Sequence, residues 1–194
     1  MKNLFSCIIL FVILTVITGV IYPLGVTGVS GVLFPEKAEG SLIRINGEIA
    51  GSSLIGQNFA DPAYFWPRPS ASDHQAVPSG ASNLGPTSDK LKQAVDGRRK
   101  KLAPYFSSAI PADLLLASGS GLDPQISPEA GLQQVDHIAK VRGLSGPEKD
   151  RLIGLVKENL EGPQVGIFGQ ARLNVLRLNL MVDLMFGPVK GGNR

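Results

Sequence analysis

The chain has 194 residues, 43% of them hydrophobic, and a formal net charge of +3. That length suits one domain better than two. The charge is too small, and too evenly spread, for a nucleic-acid-binding surface. The single cysteine, Cys7, excludes an intrachain disulfide, and two distant histidines, His74 and His137, exclude a four-ligand Cys/His zinc site.

No charged residue lies between Lys2 and Glu36. Leu4–Tyr22 is apolar on every helical face, and about 20 such residues cross a bilayer as a helix. An N-terminal anchor with flanks (1–34, spanning about 5–27) is therefore expected. A cleaved signal would carry a shorter apolar run. Thr15 and Thr18 can bond back to carbonyls one turn earlier, and Pro23 ends or kinks the helix. Lys2 before the span favours a cytoplasmic N-terminus by the positive-inside rule. Residues 35–194 then form an extracytoplasmic soluble domain.

In that domain, Asn46-Gly47 between β-prone runs predicts a hairpin of 41–45 with 48–55. Residues 61–86 carry five prolines and predict an irregular segment. Its Tyr64-Phe65-Trp66 cluster points to an ordered, packed loop. Thr87 or Ser88 is positioned to cap a helix carrying Leu91, Val95 and Leu102, with Arg98–Lys101 towards its C-terminal end. Ser127 with Pro128 starts a helix to about Arg142 that buries Leu132, Val135, Ile138 and Val141. Ser145 with Glu148 forms a capping box for a helix burying Leu152, Leu155, Val156 and Leu160. Val165–Phe168 reads as a short strand. Leu173–Phe186 reads as a helix with Asn174 as its cap. The fold class is α+β, loosely α/β, with a small sheet and several helices.

The chemistry-bearing motifs are sparse. Ser118-Gly119-Ser120-Gly121 with Asp123 could supply a nucleophilic serine, but it is not G-x-S-x-G, and a triad would need His74 or His137. His137 on the 128–142 helix is expected to be solvated. The turn Ser79-Gly80-Ala81-Ser82-Asn83 could offer backbone N–H groups to a phosphate, yet no Lys-Ser/Thr pair follows it. Arg68, between two prolines and beside three aromatics, could make a cation–π or carboxylate contact.

The wording of the chain carries more. The segments Gly51–Phe59, Tyr64–Ala71, Ser79–Pro86, Ala117–Pro124 with Ile126–Ala130, and Asn174–Leu180 resemble, in order and spacing, the C subunit of the Kdp-type potassium-transporting ATPase of bacteria. Thr18–Leu24 is similar to that family's membrane helix, and the resemblance runs from about residue 10 to about 184. It implies a non-catalytic inner-membrane subunit of a high-affinity, ATP-driven potassium importer. The implied partners are a potassium-selective channel-like subunit, a P-type ATPase subunit and a small single-helix subunit, with ATP and potassium handled by the complex. The family is also described as a catalytic chaperone that raises the ATP affinity of the ATPase subunit. The nucleotide idea attaches to Ser79, Gly80, Ser82 and Asn83, but Ala81 replaces the second glycine of that turn. Candidate partner contacts are Gly19, Gly25 and Gly28 on the helix, and Gln57, Tyr64, Arg68, Ser118, Gly119, Ser120 and Asp123 in the soluble domain. The alternatives are a tethered binding protein or a serine hydrolase.

Overall fold

A computed structural model describes residues 2–45 and 47–189. The chain forms two compact units, Met1–Ser52 and Ser53–Arg194. The hairpin thus groups with the N-terminal helix, whereas the sequence reading opens the soluble domain at residue 35.

In the first unit, α1 (Lys2–Val16), a π-helical turn (Ile17–Ile21) and α2 (Tyr22–Leu33) follow one another without a gap. Pro23 does not end the helix. Its ring crowds the carbonyl four residues back, at Gly19, and the wider turn absorbs that crowding: the Tyr22 N–H reaches back five residues to the Ile17 carbonyl. Thr18 donates to the Leu14 carbonyl at 2.7 Å, so its hydroxyl is satisfied within the helix. Asn3–Leu33, whose most apolar 18-residue stretch has a mean hydropathy of 2.9, is long and apolar enough to cross a membrane. At 1.5 Å per residue it is roughly 45 Å long, against about 30 Å of hydrocarbon, so it extends past the expected end at residue 27.

A short helix, α3 (Pro35–Ala38), leads to β1 (Leu42–Ile45) and β2 (Glu48–Ser52), which pair antiparallel with Ile45 opposite Glu48. That register leaves a two-residue connection. Asn46 lies outside the described residues, and Gly47 has φ +86°, as such a turn requires. One extra β2 residue makes a bulge after Ile43, and the second strand stops at Ser52 rather than 55.

Helices dominate the regular structure of the second unit. It comprises α4 (Asp89–Leu102) with a 3₁₀ turn (Ala103–Tyr105), α5 (Ala112–Leu115), β3 (Gln125–Ile126), α6 (Pro128–Arg142), α7 (Gly146–Glu158), β4 (Leu173–Asn174) and α8 (Val175–Phe186). β3 pairs antiparallel with β4 only. Both described sheets are two-stranded and antiparallel, so the class is α+β and not α/β.

Local caps set the helix starts. The Ser127 hydroxyl accepts the Ala130 N–H at 3.1 Å, and Glu148 accepts the Ser145 N–H at 2.8 Å. The Asn174 side chain accepts the Arg177 N–H at 3.1 Å while donating to the Ser53 carbonyl at 2.8 Å. Ser88 occupies the cap position of α4 without a side-chain bond.

The core gathers Val135 and Ile138 of α6, Leu152 and Val156 of α7, Leu173 of β4, and Leu178 and Val182 of α8. Leu132, Val141 and Leu160 are exposed, contrary to expectation. The reason lies at Gly131, where a β-carbon would sit 2.4 Å from Leu173 Cδ1. α6 therefore approaches β4 through Gly131, and its inward stripe becomes Gly131, Gln134, Val135 and Ile138, turning Leu132 and Val141 outward. Leu160 lies beyond the end of α7 at Glu158. Val165–Phe168 is a turn instead of a strand, because Val165 (φ +54°) and Gly166 (φ +75°) reverse the chain and the Phe168 N–H closes on the Gln164 carbonyl at 2.9 Å.

Candidate functional site

The irregular 61–86 segment is anchored by side chains from distant helices. Asn179 accepts the Phe65 N–H at 2.8 Å and donates to the Phe65 carbonyl at 2.9 Å. Gln134 does the same for Trp66, at 2.7 and 3.3 Å. Two buried amides thus complete the backbone hydrogen bonding of two consecutive residues, Phe65 and Trp66. The Arg142 Nε donates to the Ala63 carbonyl at 2.8 Å, and its guanidinium lies 4.8 Å from the centre of the Tyr64 ring. Tyr64, expected at a partner surface, is 2% exposed, and its hydroxyl donates to Asp183 at 2.9 Å. Its contacts belong to the domain's own core.

His137 is buried rather than solvated. Trp66 stacks on it at 4.4 Å, with Tyr105 edge-on at 5.6 Å and Phe106 at 6.1 Å. Neither ring nitrogen makes a hydrogen bond of normal geometry. Burial pushes its pKa down to about 4, with the Tyr64 backbone and Asp136 opposing. The unfolded chain takes up this proton near 6.5, whereas the folded chain resists it until about 4. Stability from this group is thus fully present above pH 6.5 and is lost as pH falls towards 4, by about 3 kcal/mol. His137→Phe, which keeps the ring stack, is expected to remove that loss. Denaturant midpoints of both proteins at neutral pH and near pH 4.5 decide it, and parallel pH profiles would sink the assignment.

A second cluster joins the motifs of three loops. Arg68 Nη1 pairs with Asp123 Oδ2 at 2.9 Å, the Ser70 hydroxyl donates to the Gly121 carbonyl at 2.7 Å, and the Ser118 N–H donates to the Pro69 carbonyl at 3.0 Å. Gly121 (φ +72°) allows the closure: a β-carbon there would lie 2.8 Å from the Gly80 carbonyl and 2.6 Å from Ser72 Oγ. The 79–83 turn therefore abuts the 118–123 loop. Ser79, Ser82 and Asn83 are exposed and Gly80 is half-buried. Ser118 is 3% exposed, and the Ser120 hydroxyl accepts the Leu122 N–H at 3.1 Å. No histidine bond reaches either serine among the described residues, so no triad is assembled. Ser118 is placed neither for attack on a substrate nor for contact with a partner. Gly119, Ser120 and the half-buried Asp123 and Gln57 remain reachable. On the helix, a β-carbon at Gly19, Gly25 or Gly28 would meet nothing within 4 Å.

Beside this cluster lies a groove of about 440 Å³. Trp66, Tyr105, Leu102 and Phe59 wall it, and Arg68, Arg98, Lys101, Asp73 and His74 supply its charge and polarity. Desolvation pushes the His74 pKa below its usual value, opposed by the Arg68 backbone and Asp73. The groove escapes a sequence reading because its walls come from segments about thirty residues apart. The amides Gln134 and Asn179 were legible only as polar residues inside apolar stripes. Among the described residues no group of three or more His, Cys, Asp or Glu side chains could hold a metal ion.

The family described as "KdpC: K+-transporting ATPase, c chain" matches residues 4–184. The Potassium-transporting ATPase KdpC subunit of Polaromonas naphthalenivorans is 48% identical over 192 residues, covering 95% of this chain and 96% of its own. That of Dechloromonas aromatica is 51% identical over 180 residues, covering 90% and 93%. That of Rhodospirillum rubrum is 47% identical over 191 residues, covering 96% and 97%. The match takes in the apolar helix, the anchored aromatic segment, the three-loop cluster and α8 together, and on that near full-length agreement the chain belongs to the KdpC family, the c chain of K+-transporting ATPases.

Proposed function

We propose that this chain is the accessory subunit of a high-affinity, ATP-driven potassium importer, itself without catalytic activity, and that it stabilises assembly of the potassium-selective and ATP-hydrolysing subunits. The observation that carries this reading is the family match over residues 4–184. The uncharged Asn3–Leu33 helix supports residence in the membrane among partner helices. Lys2 and the positive-inside rule support a cytoplasmic N-terminus and an extracytoplasmic main domain in the inner membrane. The domain then caps the outer face of the channel-like subunit, and the small single-helix subunit completes the complex. ATP is on the other side of the membrane from such a domain. A catalytic-chaperone effect on ATP affinity therefore works by coupling through the membrane partners, which needs only different affinities for two of their states, and not through the 79–83 turn.

Affinity purification of the tagged chain from mild detergent tests the reading. Equal recovery of a P-type ATPase and a potassium-channel-like subunit is the expected result; recovery of the chain alone, with those subunits expressed, overturns it. Gly19→Leu is expected to lower the occupancy of this chain in the complex severalfold, since small residues permit close helix approach. Full occupancy would remove the helix from the interface.

A further inference from the structure

We propose that the groove between the 66–74 segment and the C-terminal end of α4 is a carboxylate-binding site, with Arg98 as its anchor and Trp66 as its apolar wall. Its volume of about 440 Å³ falls within the roughly 300–1,000 Å³ of small-ligand pockets. Trp66 is rigidly held, by His137 stacked at 4.4 Å and Tyr105 edge-on at 5.0 Å. Arg98 is half-buried, and Nη1 donates to the Leu115 carbonyl at 2.8 Å, which fixes the guanidinium. A guanidinium carries five N–H donors, so this bond leaves several for a ligand. Burial lowers the Arg98 pKa, the mark of a cation short of solvent.

Among the described residues neither Arg98 nor Lys101 makes an ion pair, while Arg68, the third cation of the groove, is engaged by Asp123. A partly desolvated guanidinium that makes no ion pair favours an incoming carboxylate, whose planar fork matches it in two parallel hydrogen bonds. The apolar walls require that the carboxylate be joined to a flat or branched hydrocarbon group. Asp73, the one acidic side chain on the lining, disfavours ligands of higher negative charge such as phosphate. The carboxylate has two sources: an Asp or Glu of a partner chain flanked by apolar residues, or a free small organic acid.

Trp66 is the only tryptophan of the chain, so its emission reports the groove. The full chain in detergent is titrated with benzoate, with benzamide as the uncharged isostere and inorganic phosphate as the competing anion. Saturable benzoate binding is expected, about tenfold or more tighter than either, and weakened about tenfold in Arg98→Gln. Lys101→Gln, at an exposed rim position that makes no ion pair, is expected to weaken it severalfold and keeps the test decisive if Arg98→Gln does not fold. Equal responses to benzoate and benzamide, tighter phosphate binding, or unchanged affinity in a folded Arg98→Gln protein overturns the proposal. The source is read from the purified complex. Reduced recovery of the Arg98→Gln chain, with wild-type recovery reduced by benzoate, assigns the carboxylate to a partner. Unchanged recovery in both assigns it to a free acid.

Discussion

Asn179→Leu is expected to destabilise the soluble unit by about 4 kcal/mol, because it orphans two buried peptide groups while keeping the branching and heavy-atom count of the side chain. Asn179 is 1% exposed and holds both the N–H and the carbonyl of Phe65, itself fully buried. Each group left without a partner costs about 1–3 kcal/mol, and leucine offers neither a donor nor an acceptor. Unfolding of the full chain in detergent, followed by Trp66 emission, should show a midpoint lower by about 10 °C or more. A loss below about 1 kcal/mol would mean that water reaches the Phe65 peptide, and the segment would then be a surface loop, not a core element. The effect should extend to the 118–123 loop, since Arg68 and Ser70, which fix that loop, follow closely on the anchored 63–66 stretch.

The parts of this fold that were legible are those decided within one turn of chain. Ser127-Pro128, Ser145 with Glu148, and Asn174 mark their helices because each cap closes on an N–H three residues away or less. The aromatic cluster 64–66 was legible as ordered, yet its place in the core was not. The groups that make burial tolerable, Gln134 and Asn179, stand 68 and 114 residues further along the chain. His137 was misread for the same reason: its cover comes from Trp66, Tyr105 and Phe106. The inward face of α6 was missed by a rotation that only the Gly131–Leu173 approach determines. For the candidate site, the sequence brings Arg68, Asp123 and the glycine-rich loops to notice, but not which of them meet. Arg98 and Lys101 read simply as cations suited to the helix dipole, since nothing local announces a groove.

The same network assigns the domain's rigidity to a small set of polar groups. The three-loop cluster rests on Pro69 and Ser70, three and four residues after Trp66, whose backbone Gln134 holds as Asn179 holds that of Phe65. A surface built this way keeps its shape without regular secondary structure. Its stability depends on long-range polar bonds, so changes in α6 or α8 propagate to loops they do not flank in sequence.

Arg142→Met should therefore have an effect as large as any core truncation, about 4 kcal/mol, because it breaks a buried ion pair from one side. The Arg142 and Asp183 side chains are 4% and 10% exposed, and Nη2 lies 3.1 Å from Oδ1. Nε and Nη1 donate at 2.8 Å to the carbonyls of Ala63 and Gly187, so one guanidinium joins the end of α6, the 61–66 segment and the end of α8. Arg142→Lys keeps the charge but cannot direct three bonds at once, and is expected to recover about half of the loss, about 2 kcal/mol. Arg142→Met combined with Asp183→Asn removes both charges and should be more stable than Arg142→Met alone by about 1–2 kcal/mol; with Asp183→Asn alone it completes a double-mutant cycle, which reads the coupling. A cycle without coupling would locate the stabilisation in the two carbonyl bonds. Arg142 would then act as a cap shared by three segments, with Asp183 serving chiefly as the acceptor for Tyr64.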